Sequence, residues 1–245
     1  MKTGIIIQAR LGSTRLPGKV LLPLAGKTVL ECLLERLQSK KNDADIIIAT
    51  TASASDDKIV NFCQENGFSY FRGSEQDVLA RYYGAALQYG ISVVVRITSD
   101  CPLLDVDLLD EMLDEFRLFS EVDYYSNCLK RTYPRGFDIE IFTFDSLRTA
   151  YENAIMPYER EHVTPYIWQN KKGYFKIKDK IGVEDYSHLR LTLDTREDYE
   201  LINAIYEKNF NIIPTTNYSF IRKLYETNRG IFEVNKDIKQ KGLNV

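Results

Sequence analysis

Histidine and tryptophan are nearly missing from this chain of 245 residues, which has two of the first and one of the second. Its four cysteines, Cys32, Cys63, Cys101 and Cys128, lie far apart and form no C-x-x-C pair. With only His162 and His188 beside them, a zinc site has little to build from, and reduced thiols of a cytoplasmic protein are expected. No apolar run approaches the roughly 20 residues that span a bilayer, and no leader-like stretch precedes the first apolar run. Neither membrane insertion nor export is therefore expected. A formal net charge of −3 gives no electrostatic case for nucleic acid as the main partner. One further absence is local. No Asp or Glu occurs between Met1 and Thr28, yet that stretch carries Arg10, Arg15 and Lys19.

What is present is enough for a sizeable core, since 44% of the residues are hydrophobic. The run Gly4-Ile5-Ile6-Ile7 predicts a buried strand. It delivers the chain into Gln8-Ala9-Arg10-Leu11-Gly12-Ser13-Thr14-Arg15-Leu16-Pro17-Gly18-Lys19, where Gly12, Pro17 and Gly18 break both strand and helix. Three cations on a glycine-bearing loop at a strand end suit a polyphosphate. Backbone N–H groups approach the anion where side chains are small, and Arg and Lys add charge. Ordinary solvated charges would not explain why the cations cluster in a stretch without acids. This is not a P-loop. The glycine required ahead of Gly26-Lys27-Thr28 falls on Leu21, and Gly18-Lys19 is followed by Val20. No G-x-G-x-x-G follows the first strand either, which argues against a dinucleotide-binding Rossmann enzyme.

Downstream, strand and helix signals alternate. Thr28 and Glu31 form a capping box before an apolar helical face at Val29, Leu30, Leu33, Leu34 and Leu37. Further strands are expected at 44–49, 69–71 and 92–97, with helices starting near Ser55-Asp56-Asp57, Val78 and Val106. Four such alternations predict an α/β fold with a parallel, doubly wound sheet whose ligands sit at the carboxyl ends of its strands. Beyond residue 120 the rhythm changes. Short strands are expected at 123–126, 137–142, 174–177 and 189–194, and a bent helix at 158–168. The last residues, with Lys236, Lys239 and Lys241, read as a fraying tail. The expectation is one domain over 1–245 with an inserted β-rich region at about 123–188.

Asp100 and Asp194 each end an apolar strand and so belong at the ligand edge. Each has two readings, a cap for the next helix or a ligand for Mg²⁺, a hard cation that prefers oxygen and bridges phosphates. Beside the cationic loop, the metal–triphosphate reading is favoured. Asp105-Val106-Asp107 also makes a D-x-D pattern of the kind some metal-dependent glycosyltransferases use, but it stands at a helix start, where Asp commonly caps. A glycosyltransferase taking a nucleotide-sugar is the alternative reading that follows from it.

The loop from Ile7 to Lys19 resembles the signature of CMP-sugar synthetases, closest to the spore-coat-polysaccharide branch of cytidylyltransferases and extending to the CMP-KDO synthetases. Similar motifs follow in order at 73–82 (Gly73-Ser74-Glu75-Gln76-Asp77 onward), Thr98-Ser99-Asp100-Cys101-Pro102-Leu103, 133–140, 160–166 and Leu191-Thr192-Leu193-Asp194-Thr195. The resemblance implies a three-layer nucleotide-diphospho-sugar transferase fold and a cytoplasmic enzyme that couples CTP to an acidic sugar, with Mg²⁺, to give a CMP-sugar and pyrophosphate. It implies that Arg10, Arg15 and Lys19 hold the triphosphate and that Asp100 and Asp194 hold the metal. Ala9, Gly12, Gly73, Ser74, Asp77, Arg81 and Ser99 fall on the nucleotide side. Arg135 would pair with a substrate carboxylate, while Asp138, Glu140 and His162 would meet hydroxyls or assist deprotonation. Read on their own, Asp138 and Glu140 share the wet face of an alternating strand, and His162 is equally a structural histidine. His188 has no motif around it and reads as structural. The chain has Ser99-Asp100-Cys101-Pro102 where CMP-KDO enzymes carry Gly-Asp-Glu-Pro, which tells against KDO itself and leaves a nonulosonic acid, a modified octulosonate or another acidic acceptor equally open. A homodimer built partly from residues of about 130–180 is also implied.

Overall fold

A computed structural model describes residues 1–209, 217–240 and 242. The first half follows the expected alternation. β1 (Thr3–Gln8) is followed by a two-stranded hairpin, β2 (Pro23–Leu24) and β3 (Lys27–Thr28), and by α1 (Val29–Gln38). Then come β4 (Asp45–Thr51), α2 (Asp57–Glu65), β5 (Ser69–Gly73), α3 (Val78–Tyr89), β6 (Val93–Thr98) and α4 (Val106–Leu118). The second half holds β7 (Tyr124–Ser126), β8 (Glu140–Thr143), α5 (Phe144–Asn153), α6 (Pro157–His162), α7 (Pro165–Gln169), β9 (Ile177–Asp179), α8 (Arg196–Asn209) and α9 (Tyr218–Thr227). The seven-stranded sheet runs β5-β4-β1-β6-β8-β7-β9. β8 pairs antiparallel with both neighbours and every other pairing is parallel, so the sheet is mostly parallel and departs from the expected parallel arrangement only at β8.

Local chemistry explains the main elements. α1 starts where Thr28 accepts the Glu31 N–H and Glu31 reaches back to the Thr28 N–H. Its Leu30, Leu33, Leu34 and Leu37 are buried at helical spacing, each contributing about 1.5–3 kcal/mol of apolar burial. Asp77 caps α3, and Gly90, left-handed at φ 63°, ends it. β1 lies in the middle of the parallel strands, which is why its isoleucines are buried on both faces. Helices on both faces divide the core into two clusters, one containing Ile5 and Ile7 and the other Ile6. Among the described residues, no helix is long and apolar enough to cross a membrane.

Several expected elements shift. Residues 189–194 form no strand. Arg190 makes a single parallel bridge to Arg135, and Gly136 is the reason the chains can close: its φ is 102°, and a Cβ there would lie 2.4 Å from the Leu191 carbonyl oxygen. The strand expected at 137–142 begins only at Glu140, and the edge strand falls at Ile177 rather than Tyr174. The bent helix is two helices, α6 and α7, separated by Val163 at φ 72°. Lys236 and Lys239 of the expected tail are exposed, and what precedes them is packed. A 3-10 stretch at Arg229–Asn235 buries Phe232 and Asn235, while Lys241 lies outside the described residues.

Candidate active site

β1 and β6 are adjacent, with Gln8 in register with Thr98. The chain leaving β1 goes by way of α1 to β4 on one side, whereas β6 leads to strands on the other. Where connections diverge in this way, the carboxyl ends of the strands open a crevice. Here it is a cleft of about 420 Å³. Ala9, Arg10, Arg15 and Lys19 line it from the loop after β1; Ser99 and Asp100 line it from the loop after β6. Arg81, Arg135, Asp138, His162 and Asp194 complete the expected residues found there.

The cationic loop is held by its own backbone and by one buried carboxylate. Gly18, left-handed at φ 68°, donates its N–H to the Leu11 carbonyl at 3.1 Å. Asp56 accepts the Leu11 N–H at 2.8 Å and the Thr51 hydroxyl at 2.5 Å. Asp56, at the start of α2, makes no side-chain cap there and anchors the loop instead. Held this way, Lys19 points between the two aspartates. Its Nζ donates to Asp100 Oδ2 at 2.5 Å and to Asp194 Oδ1 at 2.8 Å. Arg15 meets the same Asp194 oxygen at 3.0 Å. Burial pushes the Asp100 carboxyl up, but the charge and hydrogen bond of Lys19 outweigh that and hold it down at about 2. The Lys19 ammonium is desolvated by burial, yet the two carboxylates hold it above its usual range. Cys101, beside Asp100, is buried and its thiol pushed well up by that burial, so it offers no thiolate nucleophile.

Two guanidiniums in the cleft make no ion pair among the described residues. Arg81 is buried, with Nη1 donating to the Ser74 carbonyl at 2.9 Å and Nε without a partner; burial pushes it below its usual range. Arg135 is pushed down by burial and then by neighbouring Arg131, whose own guanidinium is engaged by the Asp138 carboxylate through a fork at 2.5 and 2.8 Å. His162 lines the cleft beside Glu161, and His188 stacks on Tyr186 at 5.9 Å away from it.

Five expected residues lie elsewhere. Gly12 is exposed against Glu75, which also pairs with Arg10 at 3.3 Å. Gly73 ends β5, and Ser74 follows it on the way into α3, its hydroxyl accepting the Asp77 N–H at 3.0 Å. Asp77 caps that helix and binds Arg160 through both oxygens. Glu140 does not present a wet face. It is buried, paired with Arg96, and accepts from Tyr124 Oη at 2.7 Å and Thr164 Oγ1 at 2.5 Å. β8 begins at Glu140, so Asp138 and Glu140 do not share a strand face as the alternation suggested. The D-x-D pair is spent on structure: Asp105 accepts the N–H groups of Leu108 and Tyr218, and neither Asp105 nor Asp107 lines the cleft.

Sequence reasoning missed Gln8, Arg96, Thr192, Glu161 and Gln240 in the cleft. For Arg96 a signal existed, since a lone charge inside the apolar run Val93–Ile97 needs a buried partner, and Glu140 is that partner.

A family model described as Cytidylyltransferase matches residues 4–238. The chain belongs to the cytidylyltransferase family. The chain is 37% identical to the spore coat polysaccharide biosynthesis protein SpsF of Bacillus subtilis, over 83% of this chain and 85% of that one. It is 30% identical to the 3-deoxy-manno-octulosonate cytidylyltransferase of Thermodesulfovibrio yellowstonii, over 76% of each. A cytidylyltransferase structure from Leptospira borgpetersenii superposes with a TM-score of 0.90 at 39% identity, covering 99% of this chain and 100% of that one. The spore-coat resemblance and the α/β fold expected from sequence are both borne out. This cytidylyltransferase is thus a nucleotidyltransferase, and its cleft is the place to look for the transfer.

Proposed function

We propose that this cytidylyltransferase joins CTP to an acidic, KDO-like or nonulosonic sugar, forming a CMP-sugar and pyrophosphate for surface polysaccharide synthesis. The observation that carries the reading is the meeting of Arg15 and Lys19 with Asp100 and Asp194 at the switch point of the sheet. Arg10, Arg15 and Lys19 take the triphosphate. Lys19 and Arg15 turn from the aspartates toward the phosphates, where fixed positive charge stabilises the charge that develops as the α-phosphorus is attacked. Ala9, Ser99 and Arg81 face the nucleotide; a buried guanidinium with an unpaired Nε suits a carbonyl or anionic acceptor atom. Gly12, Gly73, Ser74 and Asp77 act at one remove, shaping the loop and the start of α3.

Arg135, half-buried in the cleft and in no ion pair among the described residues, is the seat for the acceptor's carboxylate, and the relative from Thermodesulfovibrio yellowstonii named for an octulosonate supports that class. Asp138 and His162 face the acceptor's hydroxyls, and Glu140 serves them only through Arg96. Among the described residues no group of three or more His, Cys, Asp and Glu side chains gathers as a metal site. Two carboxylates are enough for Mg²⁺, which usually completes its shell with phosphates and water. Asp100 and Asp194 fit it: both are hard oxygen donors, and their oxygens already converge on one cation, the Lys19 ammonium. Bound there, Mg²⁺ supplies charge neutralisation for the phosphates.

Purified protein given CTP, Mg²⁺ and a panel of sugar acids is expected to release pyrophosphate with at least one of them. No release with any acid, together with binding of intact nucleotide-sugars, would refute the reading in favour of a glycosyltransferase. Residues of about 130–180 are proposed to contribute to a homodimer, and sedimentation as a monomer at micromolar concentration refutes that part.

A further inference from the structure

Asp194 is held from behind as well as faced by Lys19 and Arg15. Arg190, buried beneath the cleft, donates from Nη2 to Asp194 Oδ2 at 2.8 Å. Two further N–H groups go to Asp198: Nε donates to Oδ1 at 2.8 Å, and Nη2 also donates to Oδ2 at 3.0 Å. Asp198 is fully buried and also accepts the backbone N–H groups of Asp194 and Thr195, each at 3.0 Å. One carboxylate therefore clamps both the guanidinium and the backbone that carries Asp194. The chain of contacts continues into the C-terminal segment. Asn235, buried, donates from Nδ2 to Asp198 Oδ1 and to the Arg190 carbonyl, both at 2.9 Å, and Gln240 accepts from Arg190 Nη1 at 2.5 Å.

Capping explains only part of this arrangement. Asp198 exchanges hydrogen bonds with Thr195 at the start of α8, as a cap partner does. A cap needs neither a buried guanidinium forked between two aspartates nor an asparagine from a distant segment. What the fork does is choose an oxygen. With Oδ2 taken by Arg190, Oδ1 is the oxygen turned to Lys19 and the cleft. Arginine's planar fork fixes such an orientation, which a single flexible ammonium does not.

We propose that Arg190 is a positioning residue, which through Asp198 and Asn235 fixes Asp194 with Oδ1 presented to the divalent cation. This rests on the reading of Asp194 as a metal carboxylate. Partners that orient a ligand in this way typically govern about 10–100-fold in metal affinity. The test is a Mn²⁺ titration followed by electron paramagnetic resonance on the full chain. A CTP analogue with a methylene bridge between its α- and β-phosphates is present and acceptor is absent, so that nothing turns over. Asp194→Asn is expected to lose the bound Mn²⁺, Arg190→Gln to bind it about 10–100-fold more weakly, and Asn235→Ala to show a smaller loss in the same direction. If Asp194→Asn binds Mn²⁺ like the parent, the metal reading itself falls, and this inference with it. If Asp194→Asn loses the metal but Arg190→Gln keeps parental affinity, whatever its melting temperature, Arg190 is only structural and the inference is overturned. Should Arg190→Gln fail to fold, Asn235→Ala decides alone, and parental Mn²⁺ affinity in that variant overturns it.

Discussion

Replacing Lys19 by Met tests stability and chemistry at the same time. The side chain keeps its approximate length and loses the ammonium that binds both Asp100 and Asp194. Asp194 retains Arg15 and Arg190, so the loss falls mainly on Asp100, for which no other ion pair is found among the described residues. The Asp100 carboxyl is depressed from 3.8 to about 2. A depressed carboxyl stabilises the folded state above its unfolded pKa, and that stability is lost as pH falls through the folded value. The depression is worth about 2 kcal/mol at neutral pH, present above roughly pH 4 and gone near pH 2. Lys19→Met should therefore lose at least about 2 kcal/mol at pH 7, with about 3–5 kcal/mol as the bound for stranding a buried charge. For a chain of this size that lowers the melting temperature by roughly 4–8 °C or more. The variant should also be less sensitive to acid between pH 4 and pH 2, because the stability the parent loses there is already missing. In pyrophosphate release, removing one preorganised positive donor should cost about 10²–10³ in turnover. Thermal melts from pH 2 to pH 7 and a coupled pyrophosphate assay read both effects. A melting temperature and acid profile like the parent's, or turnover within about tenfold of it, would refute the reasoning.

Other substitutions separate the remaining roles. Asp100→Asn should cut turnover at least about 100-fold while far-UV circular dichroism stays unchanged, and near-normal turnover would leave that carboxylate with no metal role. Arg135→Ala should raise the acceptor KM by about 10–100-fold, the worth of a charge-assisted hydrogen bond, with the KM for CTP little changed; equal increases in both would place Arg135 on the nucleotide side. Gly136→Ala should destabilise by at least about 2 kcal/mol in urea, since it combines a positive φ with a Cβ against the Leu191 carbonyl. A melt like the parent's would mean that the segments can separate without cost.

Much of the site was legible because its signals are local. A loop that follows an isoleucine run and carries Arg10, Arg15 and Lys19 without any acid points to an anion site in the order of its residues, and all three side chains line the cleft. Strand-ending aspartates announce themselves in the same way, and β1 and β6 do bring Lys19 and Asp100 together. Asp194 does line the cleft, but not as the end of a strand. A bridge to Arg135 across Gly136 brings its segment there. Glu140 misled because alternation of polar and apolar residues predicts two faces and cannot say that both are covered. Its polar face is packed against Arg96, Tyr124 and Thr164.

The sequence by itself determined the alternating elements, the mostly parallel sheet and the chemistry of the loop, since propensity, capping and periodicity act over a few residues. Tertiary structure alone decided which charges meet. Lys19 and Asp194 stand 175 positions apart, and nothing in either neighbourhood encodes that separation. The role of Asp56 as an anchor of the loop, and the tie from Asn235 through Asp198 and Arg190 to Asp194, likewise exist only once the sheet has set its strand ends side by side. Long-range pairing of buried polar groups is selected by the penalty for leaving any of them unsatisfied, and that penalty is felt only in the folded core.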